Sequence, residues 1–71
     1  MQVLLYELRK KAKLGQKDLA EVIHLSTTQY GKKERGESAF TQDEMFELSK
    51  FFNKPLSEIF FTKKVTKMET W

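Results

Sequence analysis

The chain of 71 residues carries 13 Lys and Arg against 10 Asp and Glu, a net charge of +3, and no cysteine. A chain this short makes one domain at most, with little core to stabilise it, and neither a disulfide nor a thiolate metal site supports it. Apolar runs are only a few residues long, and the N-terminus lacks the basic-then-apolar-then-small order of a secretory signal, so a cytoplasmic location is expected.

Spacing predicts a first helix from Val3 to Ala12, with Val3, Leu4, Leu5, Leu8 and Ala12 on one side, Lys10, Lys11 and Lys13 on the other, and a stop near Gly15. A second, short helix opens at Gln16 and turns Leu19, Ala20 and Ile23 to one face, until Leu25-Ser26 interrupts it. Ser26 suits the N-cap of a third helix, Thr27 to Arg35, and Gly36 its stop. Thr41-Gln42-Asp43-Glu44 has the spacing of a reciprocal capping box, opening a fourth helix to about Phe52 with Met45, Leu48 and Phe52 inward and a small Ser49 where a neighbour approaches. Pro55 fits the first turn of a final helix carrying Leu56, Ile59 and Phe60. The expectation is an all-α, five-helix domain over residues 1–62. Residues 63–71 read as a tail or short edge strand, a candidate for part of a dimer contact.

Charge is unevenly spread. Residues 1–36 hold eight basic residues (Arg9, Lys10, Lys11, Lys13, Lys17, Lys32, Lys33, Arg35) against four acidic ones, and residues 37–71 hold five against six. A protein that lays one face on a polyanion has this distribution, although a solvated Lys-rich surface has it too. The stretch Leu14-Gly15-Gln16-Lys17-Asp18-Leu19-Ala20, then Leu25-Ser26, then Glu34-Arg35-Gly36, resembles the Cro/CI-type (XRE) helix-turn-helix family, with its L-T-Q-x-x-L-A, V-S and E-x-G pattern. The similarity continues through Leu48-Ser49-Lys50-Phe51-Phe52-Asn53 and Leu56-Ser57-Glu58-Ile59-Phe60, covering roughly residues 4–61. It implies a compact phage-repressor-like fold and a DNA-binding transcriptional regulator whose third helix enters the major groove.

Within that frame, Thr27, Thr28, Gln29 and Lys32 are the candidates for reading bases. Threonine methyls meet thymine methyls, glutamine pairs with adenine, and Lys32 lies one turn beyond Thr28. For Thr27 a purely capping role is the alternative. Gln16, at the start of the second helix, is a candidate phosphate contact through its amide and the free backbone N–H groups, or else an ordinary polar N-terminal residue. Lys10, Lys17, Lys33, Arg35 and Ser38 border the same region and are further phosphate candidates. Ala20 is small where the second and third helices cross. The resemblance also implies a partly buried, structural ion pair between Arg9 and Glu34. Three positions depart from the family pattern: His24 replaces the turn glycine, Gly31 falls inside the third helix and suggests a close approach to its backbone, and Lys33 takes a usually apolar place.

One helix in one groove reads about four base pairs, so specificity points to a homodimer on an inverted-repeat operator, and the resemblance implies a repressor, with repression and activation not distinguished by the sequence. Phe46, Phe51, Phe60, Phe61 and Trp71 exceed what the core absorbs and are candidates for the subunit contact. The lone histidine has no evident nucleophile or carboxylate partner, and neither a phosphate loop nor a metal-ligand cluster is present. No enzymatic activity, cofactor, metal, small-molecule ligand or membrane association is therefore expected. The competing class is a protein-interaction module, antirepressor- or antitoxin-like, that uses the same helices on another protein.

Overall fold

A computed structural model describes residues 1–60, which form α1 (Val3–Lys11), α2 (Gln16–Val22), α3 (Thr27–Arg35), α4 (Gln42–Phe52) and α5 (Leu56–Phe60). No strand occurs among them, and no helix among them is long and apolar enough to cross a membrane. Residue 61 onward, and with it the expected tail, lies outside the described residues.

The helix starts are chemical. The hydroxyls of Ser26 and Thr41 accept the backbone N–H of Gln29 and Glu44, whose side chains accept the N–H of Ser26 and Thr41 in return. Each reciprocal pair satisfies donors that a helix end leaves free. Gly15 has no side chain to offer α2, so Asp18 Oδ2 takes the Gly15 N–H at 2.7 Å. Pro55 stands just before α5, its carbonyl accepting the Glu58 N–H.

The helix stops share one device. At Lys13, His24, Gly36 and Asn53 the backbone turns left-handed, with φ of 61°, 62°, 89° and 56°. The next residue's N–H then reaches back to a carbonyl inside the helix, as in Leu14 to Arg9, Leu25 to Ala20, Glu37 to Lys32 and Lys54 to Ser49. Only one of the four is glycine. The first helix was expected to stop near Gly15; the stop is Lys13, because the left-handed step follows directly on the last helical turn.

Leu5, Leu19, Ala20, Ile23, Tyr30, Phe40, Leu48 and Ile59 form the core, with Leu8, Leu14, Met45, Phe52 and Phe60 packed around it. α2 packs on α3 and α4, while α5 closes against α1 and α4. Phe40, in the α3–α4 loop, joins the layers, its ring edge-on to Tyr30 at 6.0 Å and to Phe60 at 5.3 Å. Two expected members of the first helix's apolar side are corrected here. Val3 and Ala12 are exposed, because α1 turns Leu5 and Arg9 to the interior.

Candidate nucleic-acid interface

The connection between α2 and α3 is four residues, Ile23 to Ser26. Ile23 buries its side chain, His24 makes the left-handed step with its ring exposed, half-buried Leu25 packs against the core, and Ser26 caps α3. Ala20, 1 % exposed, leaves room for the two helices to meet. This tight turn fixes the axis of α3 against α2 through buried contacts on one side and frees the opposite side of α3.

On that free side Thr28, Lys32 and Arg35 follow one another at i, i+4 and i+7, so they form a single exposed row. Thr27 and Gln29 are exposed at its first turn. The Gln29 carbonyl is held by the Ser26 N–H at 3.1 Å. Its NH2 group faces no such obligation, so Gln29 offers donors outward while its acceptor serves the cap.

The phosphate candidates divide. Lys17 and Lys10 are exposed, Lys10 lying 5.9 Å from the Tyr6 ring centroid, and Ser38 is exposed in the α3–α4 loop. Arg35 pairs with Glu37 at 2.8 Å, both side chains about half exposed, an arrangement that yields readily to a stronger anion. Lys33 is different: its ammonium sits 2.6 Å from Glu44 Oε1, only 13 % exposed, with the Phe40 ring beneath it at 5.9 Å. That pairing ties α3 to α4 and engages the Lys33 ammonium within the fold. Burial would raise the Glu44 carboxyl, but bonds from Lys33 and the Thr41 backbone outweigh it and hold the group below its ordinary value.

Gln16 is half-buried at the start of α2. Its Nε2 points inward and donates to Glu34 Oε1 at 3.0 Å, and the Asp18 carboxylate already occupies the start of α2, where it opposes a second negative charge. The Gln16 carbonyl lies over Gly31: a Cβ there would stand 3.2 Å from Gln16 Oε1 and 3.1 Å from Arg35 Nη1. Gly31 is thus a position in α3 where side chains lie close against the backbone.

Arg9 and Glu34 form the expected pair, Nε to Oε2 at 2.8 Å and Nη2 to Oε1 at 3.1 Å, both residues buried. Two more donors complete it, the Tyr30 hydroxyl at 2.8 Å and Gln16 Nε2, while Arg9 Nη1 donates to the Leu14 carbonyl at 3.0 Å. Glu34 therefore accepts four hydrogen bonds from three elements. Burial would raise its pKa, but the bonds from Arg9, Gln16 and Tyr30 hold it below the ordinary carboxylate value. Burial, reinforced by the bond to Glu34, pushes the Tyr30 phenol far above its usual range. Among the described residues no buried side-chain polar atom is left unpaired. The Gln16 bond and the role of Tyr30 had no reading in the sequence, although Tyr30 stands one turn before Glu34 on the same helix.

Of the candidates for a subunit contact, Phe46 and Phe51 are 45 % and 47 % exposed. Phe60 is partly buried, its ring packed on Phe40 at the edge of the core. Phe61 and Trp71 lie outside the described residues.

Comparison with protein families matches residues 5–59 to a family described as helix-turn-helix. No curated protein and no solved structure matches the chain significantly.

Proposed function

This chain belongs to the helix-turn-helix family of Cro/CI (XRE) type, a family of DNA-binding transcription regulators, and from that premise we propose that it binds an inverted-repeat operator in duplex DNA as a homodimer and represses transcription. The observation that carries the proposal is the exposed row on α3, Thr28, Lys32 and Arg35, with Thr27 and Gln29 beside its start. In this reading α3 lies in the major groove with its first turn toward the bases. Thr27 and Thr28 meet thymine methyls or accept and donate single hydrogen bonds. Gln29 donates through its free amide nitrogen, and Lys32 reaches a guanine edge or a phosphate. Lys17, Lys10, Arg35 and Ser38 follow the backbone on either side and set the register without carrying sequence information.

Selection from a random duplex pool, followed by salt titration of the selected site, tests the proposal. An enriched inverted repeat is expected, with affinity falling steeply as salt rises. Thr28→Ala should relax preference at one position per half-site while leaving the helical content unchanged. Lys32→Ala should weaken binding, and if it contacts phosphate should lower the logarithmic salt slope by about one per copy. A pool that enriches no motif at any salt removes the proposal and leaves the protein-interaction module in its place.

A further inference from the structure

α4 has a surface that matches itself. Its inner side is taken by Met45, Leu48 and Phe52. At about 100° per residue, Phe46, Lys50, Glu47 and Phe51 fall within one arc of about 140° on the outer side, and all four are exposed. Phe46 and Phe51 are two of the large apolar residues that the described chain leaves open to solvent, and they stand at the two ends of this arc. Between them are one acid and one base, Glu47 and Lys50, 3.9 Å apart with side chains 51 % and 77 % exposed. A pair this open contributes little within its own helix, so either group can turn to another partner at small cost.

The order Phe46, Glu47, Lys50, Phe51 is symmetric about the gap between Leu48 and Ser49 in position and complementary in charge. We propose that α4 lies antiparallel against α4 of a second copy, about a twofold axis level with that gap, so that Glu47 meets the partner's Lys50 and Phe46 stands level with the partner's Phe51. The contact is isologous, each patch meeting itself, as a twofold interface requires. A cleft of about 620 Å³ opens beside Phe46, lined by Ile23, His24, Asp43 and Glu47 among others, and gives an incoming aromatic ring a place to bury. A parallel arrangement would lose the charge match, setting Glu47 level with Glu47 and Lys50 level with Lys50. The inference rests on the homodimer reading above and assigns the surface that makes it.

Charge reversal tests it, because the two single changes and their combination give opposite results. Sedimentation of the full chain up to its highest soluble concentration should show self-association. Glu47→Lys and Lys50→Glu, each of which sets like charges opposite twice over in a twofold contact, should each weaken it by tenfold or more, a change of about 1.4 kcal/mol or more. The double variant E47K/K50E restores opposite charges across the axis and should recover the wild-type association. Phe46→Ala should weaken association without rescue by the charge swap. Thermal melts of the same variants keep loss of fold apart from loss of contact. Association that is unchanged by the single reversals, or single defects that the double variant does not repair, overturns the α4 pairing while a dimer through another surface stands. A wild type that remains monomeric throughout overturns both. Binding of each variant to a single half-site reports on DNA recognition separately, since none of these residues belongs to the α3 row.

Discussion

Replacing Glu34 by alanine isolates what the buried network does for the fold. The substitution strands the Arg9 guanidinium, 7 % exposed, and takes away the acceptor of Tyr30 and Gln16 as well. Breaking one side of a buried pair costs about 3–5 kcal/mol, and a chain of 71 residues has on the order of 4–11 kcal/mol in all. E34A is therefore expected to lose close to half its stability and to be partly unfolded at physiological temperature. Removing the charged pair and the Tyr30 hydroxyl together has a different outcome. Arg9→Met, Tyr30→Phe and Glu34→Leu combined leave no buried charge, and the triple variant should recover most of the loss, because apolar groups of similar volume replace a pair whose desolvation nearly cancels its attraction. Acid gives an independent reading. The folded Glu34 pKa lies below its ordinary value of 4.5, so its contribution is complete above 4.5 and disappears as pH falls through the lower folded value. Urea denaturation followed by circular dichroism, at neutral pH and at successively lower pH, checks each statement. An E34A loss under about 1 kcal/mol, or a triple variant no better than E34A, would refute the reasoning.

The left-handed helix ends make a second prediction. Lys13→Gly and His24→Gly each relieve a side chain from a conformation that costs an L-residue about 1–2 kcal/mol, offset in part by glycine's greater freedom when unfolded, so each should raise Tm by about 4–8 °C. Asn53→Gly should gain less, since asparagine tolerates the left-handed region. Gly31→Ala in the wild type should gain little of the roughly 1 kcal/mol that helix propensity offers, because Gln16 and Arg35 lie against the new methyl group; in a background with both Gln16→Ala and Arg35→Ala the gain should appear, and equal effects in both backgrounds would remove the crowding argument.

Helix starts were legible because they are local. Ser26 reads as an N-cap and Thr41 to Glu44 as a reciprocal box, and both form; that Gln29 closes a second box on Ser26 is added by the structure. The Arg9–Glu34 pair followed from the family pattern, not from spacing. What the chain concealed were contacts across sequence distance. Nothing near Lys33 announces Glu44 eleven residues on, and nothing near Gln16 announces Glu34 eighteen residues on, so both polar side chains read as solvent-facing. Val3 and Ala12 fit a helical stripe, yet α1 aligns on Leu5 and Arg9, because satisfying a buried carboxylate outranks covering one valine and one alanine. Phe40 and Tyr30 sit outside the apolar periodicity, one in a loop and one on a mostly polar helix, and both are core. Phe60 was set among the surplus aromatics for the same reason, since its partner Phe40 is twenty positions away in the chain.

The reciprocal bond between Ser26 and Gln29 limits how this protein acquires a new target. Gln29 is a base reader in the proposed function, yet its side-chain carbonyl secures the start of the helix that presents the whole row. On the proposed function a substitution there would alter recognition and the anchoring of α3 together, whereas the side chains of Thr28 and Lys32 have no such second duty among the hydrogen bonds of the described residues. Divergence toward other operators is thus expected to enter through those two side chains first, with position 29 changing later and toward residues that still close the box, glutamate above all.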